Sequence, residues 1–82
     1  MKYFLYILSC ANNYLYIGIA KDVQARFRLH VEGKGAKFTR INKPIKILYQ
    51  EKVGSRSKAQ KREAALKKLS RLQKEEFISQ NK

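Results

Sequence analysis

Two short segments rich in aromatic and branched residues set the architecture open to this chain. Residues 3–9 (Tyr-Phe-Leu-Tyr-Ile-Leu-Ser) and residues 14–19 (Tyr-Leu-Tyr-Ile-Gly-Ile) are apolar on both faces, with Ala11-Asn12-Asn13 between them. Aromatic and β-branched residues suit a pleated, buried strand, and an Asn pair supplies turn chemistry. The two segments therefore read as a β-hairpin. Tyr6 and Tyr16 become cross-strand neighbours in it, directly or diagonally depending on the register.

After Gly18 closes the second strand, the period changes. Val23, Phe27 and Val31 recur at i, i+4 and i+8, which predicts a helix over Asp22–Glu32 with these three as its buried stripe. Asp22 stands at its start as a cap, and Gly33 ends it. Asp22, Arg26 and His30 recur at the same spacing one residue earlier, as a polar stripe beside the buried face. Residues 33–40 (Gly-Lys-Gly-Ala-Lys-Phe-Thr-Arg) are basic and glycine-flanked, with one or two helical turns predicted around Ala36–Ile41. Their amides and Lys34, Lys37 and Arg40 suit phosphate contact. The spacing is not that of a nucleotide P-loop. After Pro44, Ile45–Val53 reads as a third strand. A last long helix then starts with Ser57 as N-cap, presents Ala59, Ala65, Leu66, Leu69 and Leu72 on its apolar face, and breaks and restarts around Ser70-Arg71, with Phe77 and Ile78 packing its end.

The predicted order is β-β-α-α-β-α(-α), a small α+β fold with a three-stranded antiparallel sheet flanked by helices. A chain of 82 residues reads as one domain, 1–82, without repeats or a linker. It buries only about 60–65% of its unfolded surface. A core one layer deep is expected, and a site in an open surface groove.

Charge then narrows the function. Nineteen Lys and Arg against six Asp and Glu give a net charge of +13, spread along the chain. Solubility needs a magnitude of only about 2–8. A folded unit this basic points to a polyanionic partner, nucleic acid first and an acidic membrane surface second. The apolar run Tyr3–Leu8 is too short to span a membrane. A single cysteine, Cys10, excludes an intramolecular disulfide and a thiolate zinc cluster and fits a reducing cytoplasm; it reads as a small buried or turn residue.

No Ser/His/Asp order, no His/Cys metal cluster and no paired carboxylates are available. The remaining set is two tyrosines on paired strands, an arginine one helical turn from a histidine, and a carboxylate, Glu63, among lysines. Phosphodiester hydrolysis can use such a set. An Arg fork binds phosphate oxygens, one carboxylate can hold a hydrated divalent ion, and a phenol can relay a proton once its pKa, near 10, is dealt with.

Phe4-Leu5-Tyr6-Ile7, then Tyr16-Ile17-Gly18, then Arg26 ten residues after Tyr16, then Glu63 on a late helix resemble the GIY-YIG nuclease superfamily. The Gly33–Arg40 stretch and Arg62-Glu63 followed by Lys67-Lys68-Leu69 resemble its small, single-domain bacterial branch. The resemblance covers about residues 3–78. It implies a metal-dependent DNA endonuclease, structure-preferring and related to repair or recombination. Tyr6 and Tyr16 match the motif tyrosines, one of which acts as general base or positions the water. Arg26 matches the arginine on the scissile phosphate, and His30 a histidine that assists the nucleophile or the phosphate. Glu63 matches the ligand of one Mg²⁺ or Mn²⁺. Lys34, Lys37, Arg40, Lys67 and Lys68 are the expected DNA contacts. Localisation in the cytoplasm at the nucleoid follows, with a homodimer or partner protein as the source of added specificity. Phe4 stands where the first motif has glycine, and no Asn precedes Asn81 on the last helix. These departures carry the alternative, a non-catalytic nucleic-acid-binding module of the same fold.

Overall fold

The computed structural model describes residues 2–81. In chain order it contains β1 (Tyr3–Cys10), a 3₁₀ turn at Ala11–Asn13, β2 (Tyr14–Ala20), α1 (Val23–Val31), α2 (Lys37–Ile41), β3 (Pro44–Gly54), α3 (Arg56–Lys67) and α4 (Arg71–Gln80). The strands form one antiparallel sheet in the order β2-β1-β3. The predicted α+β class and element order stand.

The central position of β1 explains its double-faced apolarity. Leu5 and Ile7 point to one side, where they pack with Ile17, Leu66 of α3 and Ile78 of α4. Tyr6, Leu8 and Cys10 point to the other side, where they pack with Val23 and Phe27 of α1. The expectation of a core one layer deep is thereby corrected: both faces of the sheet carry a cluster. A strand with partners on both edges and helices on both faces has no solvent side, so every side chain of its middle is apolar or hydrogen-bonded.

Local chemistry places the ends. Asn12 and Asn13 adopt φ of 62° and 64°, a left-handed conformation that Asn tolerates better than other non-glycine residues. Two successive left-handed residues turn β1 tightly into β2. Phe4 pairs with Ala20 on β2 and with Lys52 on β3, next to a register shift at Tyr3/Phe4, and packs against the α1-side cluster. β3 is longer than β1, and register shifts at Tyr3/Phe4, Ile7/Leu8 and Ser9/Cys10 absorb the difference.

Three details of the helices depart from expectation. Ser55, not Ser57, caps α3, accepting from the Lys58 amide at 3.2 Å; Ser55 is the last residue with extended backbone after Gly54, whereas Ser57 is already inside the helix. Ala65 and Leu72 are exposed, Leu72 by 65%. The break at Ser70, closed by a capping box with Gln73, resets the helical phase, so Leu72 does not continue the α3 stripe of Ala59, Leu66 and Leu69. On α1, Val31 is exposed while His30 is fully buried. At about 100° per residue, position i+7 from Val23 lies about 20° from it and i+8 about 80° away. His30, not Val31, completes the buried stripe.

Gly18 faces Tyr6 directly across the β1–β2 pair. A Cβ there would lie 2.5 Å from Tyr6 Oη and 2.7 Å from its Cζ, so the tyrosine ring needs the bare backbone beneath it. Gly18→Ala is expected to lower unfolding free energy by about 1–3 kcal/mol, the usual cost of overpacking. Urea denaturation measures it, and an unchanged midpoint would show that the ring has room to move.

Candidate active site

Tyr6 and Tyr16 project to the same face from adjacent strands, as diagonal neighbours. Tyr6 pairs with Gly18 and Tyr16 with Leu8, and the two ring centroids are 6.3 Å apart. His30 closes the triangle from α1, 6.0 Å from Tyr6 and edge-on to Tyr16 at 5.1 Å.

A buried hydrogen-bond chain runs through these groups. Tyr6 Oη is 2.8 Å from His30 Nε2, and His30 Nδ1 is 2.7 Å from Thr39 Oγ1. The Thr39 hydroxyl donates to the Ala36 carbonyl at 2.9 Å. Its one proton is committed there, so Thr39 must accept from His30, and Nδ1 carries the imidazole proton. Nε2 is then bare and accepts from the Tyr6 hydroxyl. Burial, and after it the charge of Arg26, hold the His30 pKa below its ordinary 6.5. His30 is therefore a neutral base with its lone pair aimed at a phenol.

Burial, then Tyr16, push the Tyr6 phenol up to about 12, while Arg26 pulls it down and Glu63 adds to the rise. Tyr6 thus lies within the electrostatic reach of Tyr16, Arg26 and Glu63 together. Arg26 is exposed on α1. Asp22 spends its carboxylate on capping α1, accepting from the Ala25 amide at 3.1 Å, and among the described residues no carboxylate lies within ion-pair distance of Arg26. Its fork is open to an anion.

Glu63 lies on α3, its side chain 22% exposed, with its Oε2 3.1 Å from Lys67 Nζ. Among the described residues no group of three or more His, Cys, Asp or Glu converges. Glu63 offers a single carboxylate outside any such cluster. That fits a hard divalent ion completed by water and substrate oxygens and does not fit zinc. Lys34, Lys37 and Arg40 are exposed around α2, Lys67 and Lys68 at the end of α3. A groove of about 240 Å³ beside β2, the sheet's edge strand, is lined by Leu15, Tyr16, Ile17, Phe38 of α2, Lys67 and Lys74.

Sequence reasoning missed Thr39, which is fully buried against His30, and Gly35. A Cβ on Gly35 would lie 2.8 Å from His30 Cε1 and 2.9 Å from Cγ, so this glycine is the flat floor under the imidazole. The Gly-Lys-Gly spacing signalled the close approach, but the residue approaching is the protein's own histidine.

The match of residues 2–76 to the model of the GIY-YIG catalytic domain accords with this arrangement. The chain belongs to the GIY-YIG family, a family of nucleases. Within it, the chain is similar to small bacterial proteins called UPF0213. It is 42% identical to one from Streptococcus pneumoniae serotype 4, across 98% of this chain and 81% of that protein. It is 46% identical to one from Staphylococcus epidermidis, across 96% of both. The solution NMR structure of a UPF0213 protein from Bacillus halodurans matches with a TM-score of 0.62 at 37% identity, covering 96% of this chain and 84% of that one.

His30 is the one histidine of the chain, so its linkage is separable. Its folded pKa is depressed, and the unfolded chain therefore binds the proton more readily. Stability is full above about 6.5 and is lost as pH falls below that value. Denaturant midpoints are expected to decline from pH 7 to pH 5 in the wild type and to stay flat over that window in His30→Phe, offset to lower stability throughout. A wild-type midpoint flat over the same range would show that folding does not favour neutral His30.

Proposed function

We propose that this chain, acting as a single domain, is a divalent-metal-dependent DNA endonuclease in which Arg26, Tyr6 and His30 form the hydrolytic centre and Glu63 the metal ligand. The observation that carries the reading is the buried Tyr6–His30–Thr39 chain beside an open Arg26. A neutral imidazole with its lone pair on a tyrosine hydroxyl satisfies that hydroxyl and can also take its proton.

The proton path follows from the hydrogen bonds. A phenol pushed up to about 12 does not ionise near neutrality, so Tyr6 serves as a relay. The attacking water gives its proton to Tyr6 Oη as the Tyr6 proton passes to His30 Nε2. Thr39 holds the other ring nitrogen, so the imidazolium that forms keeps both its donors bonded. The water oxygen bonds to phosphorus, the P–O bond to the leaving oxygen breaks, and Arg26 neutralises the charge gathered on the non-bridging oxygens. Mg²⁺ or Mn²⁺ held by Glu63 would supply Lewis-acid stabilisation of the phosphate and of the leaving oxygen. Lys67, 53% exposed, shields Glu63 and is free to swing to a strand phosphate. Tyr16 lines the groove edge-on to His30. The exposed lysines give sequence-independent grip on the backbone, which suits preference for a DNA structure, such as a branch or nick, over a sequence. Repair and recombination intermediates supply such structures.

Arg26→Ala and Glu63→Gln are each expected to lower the rate of nicking by about 10²-fold or more, the usual scale for losing one charge-stabilising group. Tyr6→Phe is expected to do the same while leaving binding intact. Gel assays on branched, flapped, nicked and intact duplex DNA with Mg²⁺ or Mn²⁺ measure this. Undiminished cleavage in both Arg26→Ala and Glu63→Gln would sink the assignment. Salt-sensitive binding by the wild type with no cleavage in either ion would leave the non-catalytic module.

A further inference from the structure

The chain has nine aromatic side chains, and seven of them are buried or half-buried. The two exposed ones are Phe38 and Tyr14, at 36% and 50%, and they touch. Tyr14 meets Phe38 edge-on at 5.7 Å and 77°, and Phe38 stacks on Tyr16 at 5.9 Å and 26°. The result is a ledge of three rings that starts at Tyr16 and runs outward to solvent. Hydrolysis as derived above uses neither Phe38 nor Tyr14.

Tyr16 and Phe38 line the groove along β2 with Lys67 and Lys74, and Tyr14 adjoins it through Phe38. It is rigidly held. Phe38 precedes Thr39, whose hydroxyl is locked between His30 and Ala36. The Ala11 amide donates to the Lys43 carbonyl at 2.7 Å, and Asn12 donates to Asn42 at 3.4 Å, so the hairpin turn grips the far end of α2. A preformed aromatic face costs little ordering on binding.

We propose that Phe38 and Tyr14 form a stacking subsite for an unpaired base of the DNA strand whose phosphate reaches Arg26, with Lys67 and Lys74 on the adjoining phosphates. The subsite rests on the proposed reading of the active site for where the strand lies. Aromatic rings beside a basic groove are the general means of holding a single strand, because each base offers a π-face and each linkage a charge. In a duplex those faces are stacked on neighbouring bases and are closed to Phe38. The ledge therefore selects frayed, flapped or single-stranded DNA. A second copy of the chain is disfavoured as occupant, because each copy carries +13 and two would repel.

The test is binding without divalent metal, so it does not depend on cleavage. A single-stranded oligonucleotide and a blunt duplex of equal length are compared at matched salt on the full chain. Phe38→Leu keeps the apolar volume and loses the ring, and Tyr14→Ala removes an exposed side chain. Each is expected to weaken single-strand binding, the pair together by about tenfold or more, with duplex binding unchanged. Phe38→Trp adds a reporter to a chain that has no tryptophan; its emission is expected to be quenched by the single strand and unaffected by the duplex. Wild-type affinity for the single strand in both Phe38→Leu and Tyr14→Ala overturns the subsite. So does equal quenching by duplex, or emission that shifts with protein concentration alone, the mark of a second copy in the groove. Quenching by the single strand without any cleavage in Mg²⁺ or Mn²⁺ would uphold the subsite and remove the nuclease reading instead.

Discussion

The hydrogen-bond chain from Tyr6 through His30 to Thr39 ties three elements together. Tyr6 comes from the centre of β1, His30 from the last turn of α1 and Thr39 from the short α2. All three are fully or almost fully buried. A buried polar group without a partner costs about 1–3 kcal/mol, so Tyr6 needs His30, and His30 needs both Tyr6 and Thr39. Among the described residues no buried side-chain nitrogen or oxygen lacks a partner. Five residues of α2 are too few to be stable as a helix alone, and Thr39 is the side chain that docks them. The two glycines follow from the same chain: Gly18 under Tyr6 and Gly35 under His30 let flat rings lie on backbone.

The opposite layer is set by a second polar contact. Arg62 on α3 makes two bonds to Glu51 on β3, at 2.9 and 3.2 Å, and lies over the Phe77 ring of α4 at 5.4 Å. Tyr49 donates to the same carboxylate. Burial works to raise the Glu51 pKa, and the hydrogen bonds from Arg62 and Tyr49 outweigh it and hold the carboxyl below its usual value. Successive helical residues are about 100° apart. Gripping β3 with Arg62 therefore turns the next residue, Glu63, away from β3, and one turn further on Lys67 reaches the groove along β2. The position of Glu63 depends on a clamp that does not itself touch the groove.

Much of this was legible in the chain. The strands, their order and the two short helices follow from periodicity and from Asn, Gly and Pro at the turns. Tyr6, Tyr16, Arg26 and Glu63 were singled out by residue type and spacing. The misreadings share one physical origin. His30 was assigned to a polar stripe because histidine is polar, but α1 points it into the core at i+7, where only a partner such as Thr39 makes it tolerable. Nothing local to Thr39 announces that partner, nine residues away in sequence. The stretch around Gly35 was read for its amides and lysines, and the seating of His30 against Gly35 went unread, because a glycine does not name what approaches it. The Glu51–Arg62 clamp spans a turn and a helix, and no spacing rule couples such a pair.

The charge outside and the neutral chain inside also bear on one another. Arg26 is the second cause, after burial, of the depressed His30 pKa, so in the free protein its positive charge weakens the base. A phosphate diester bound to Arg26 brings a negative charge to the same place and offsets that repulsion. On the proposed reading of the site, His30 would then be the better proton acceptor. The same anion would cancel the pull of Arg26 on Tyr6, which suits the proposed relay. In the proposed mechanism, the arginine that suits phosphate binding is thus also the group through which binding would strengthen the buried base.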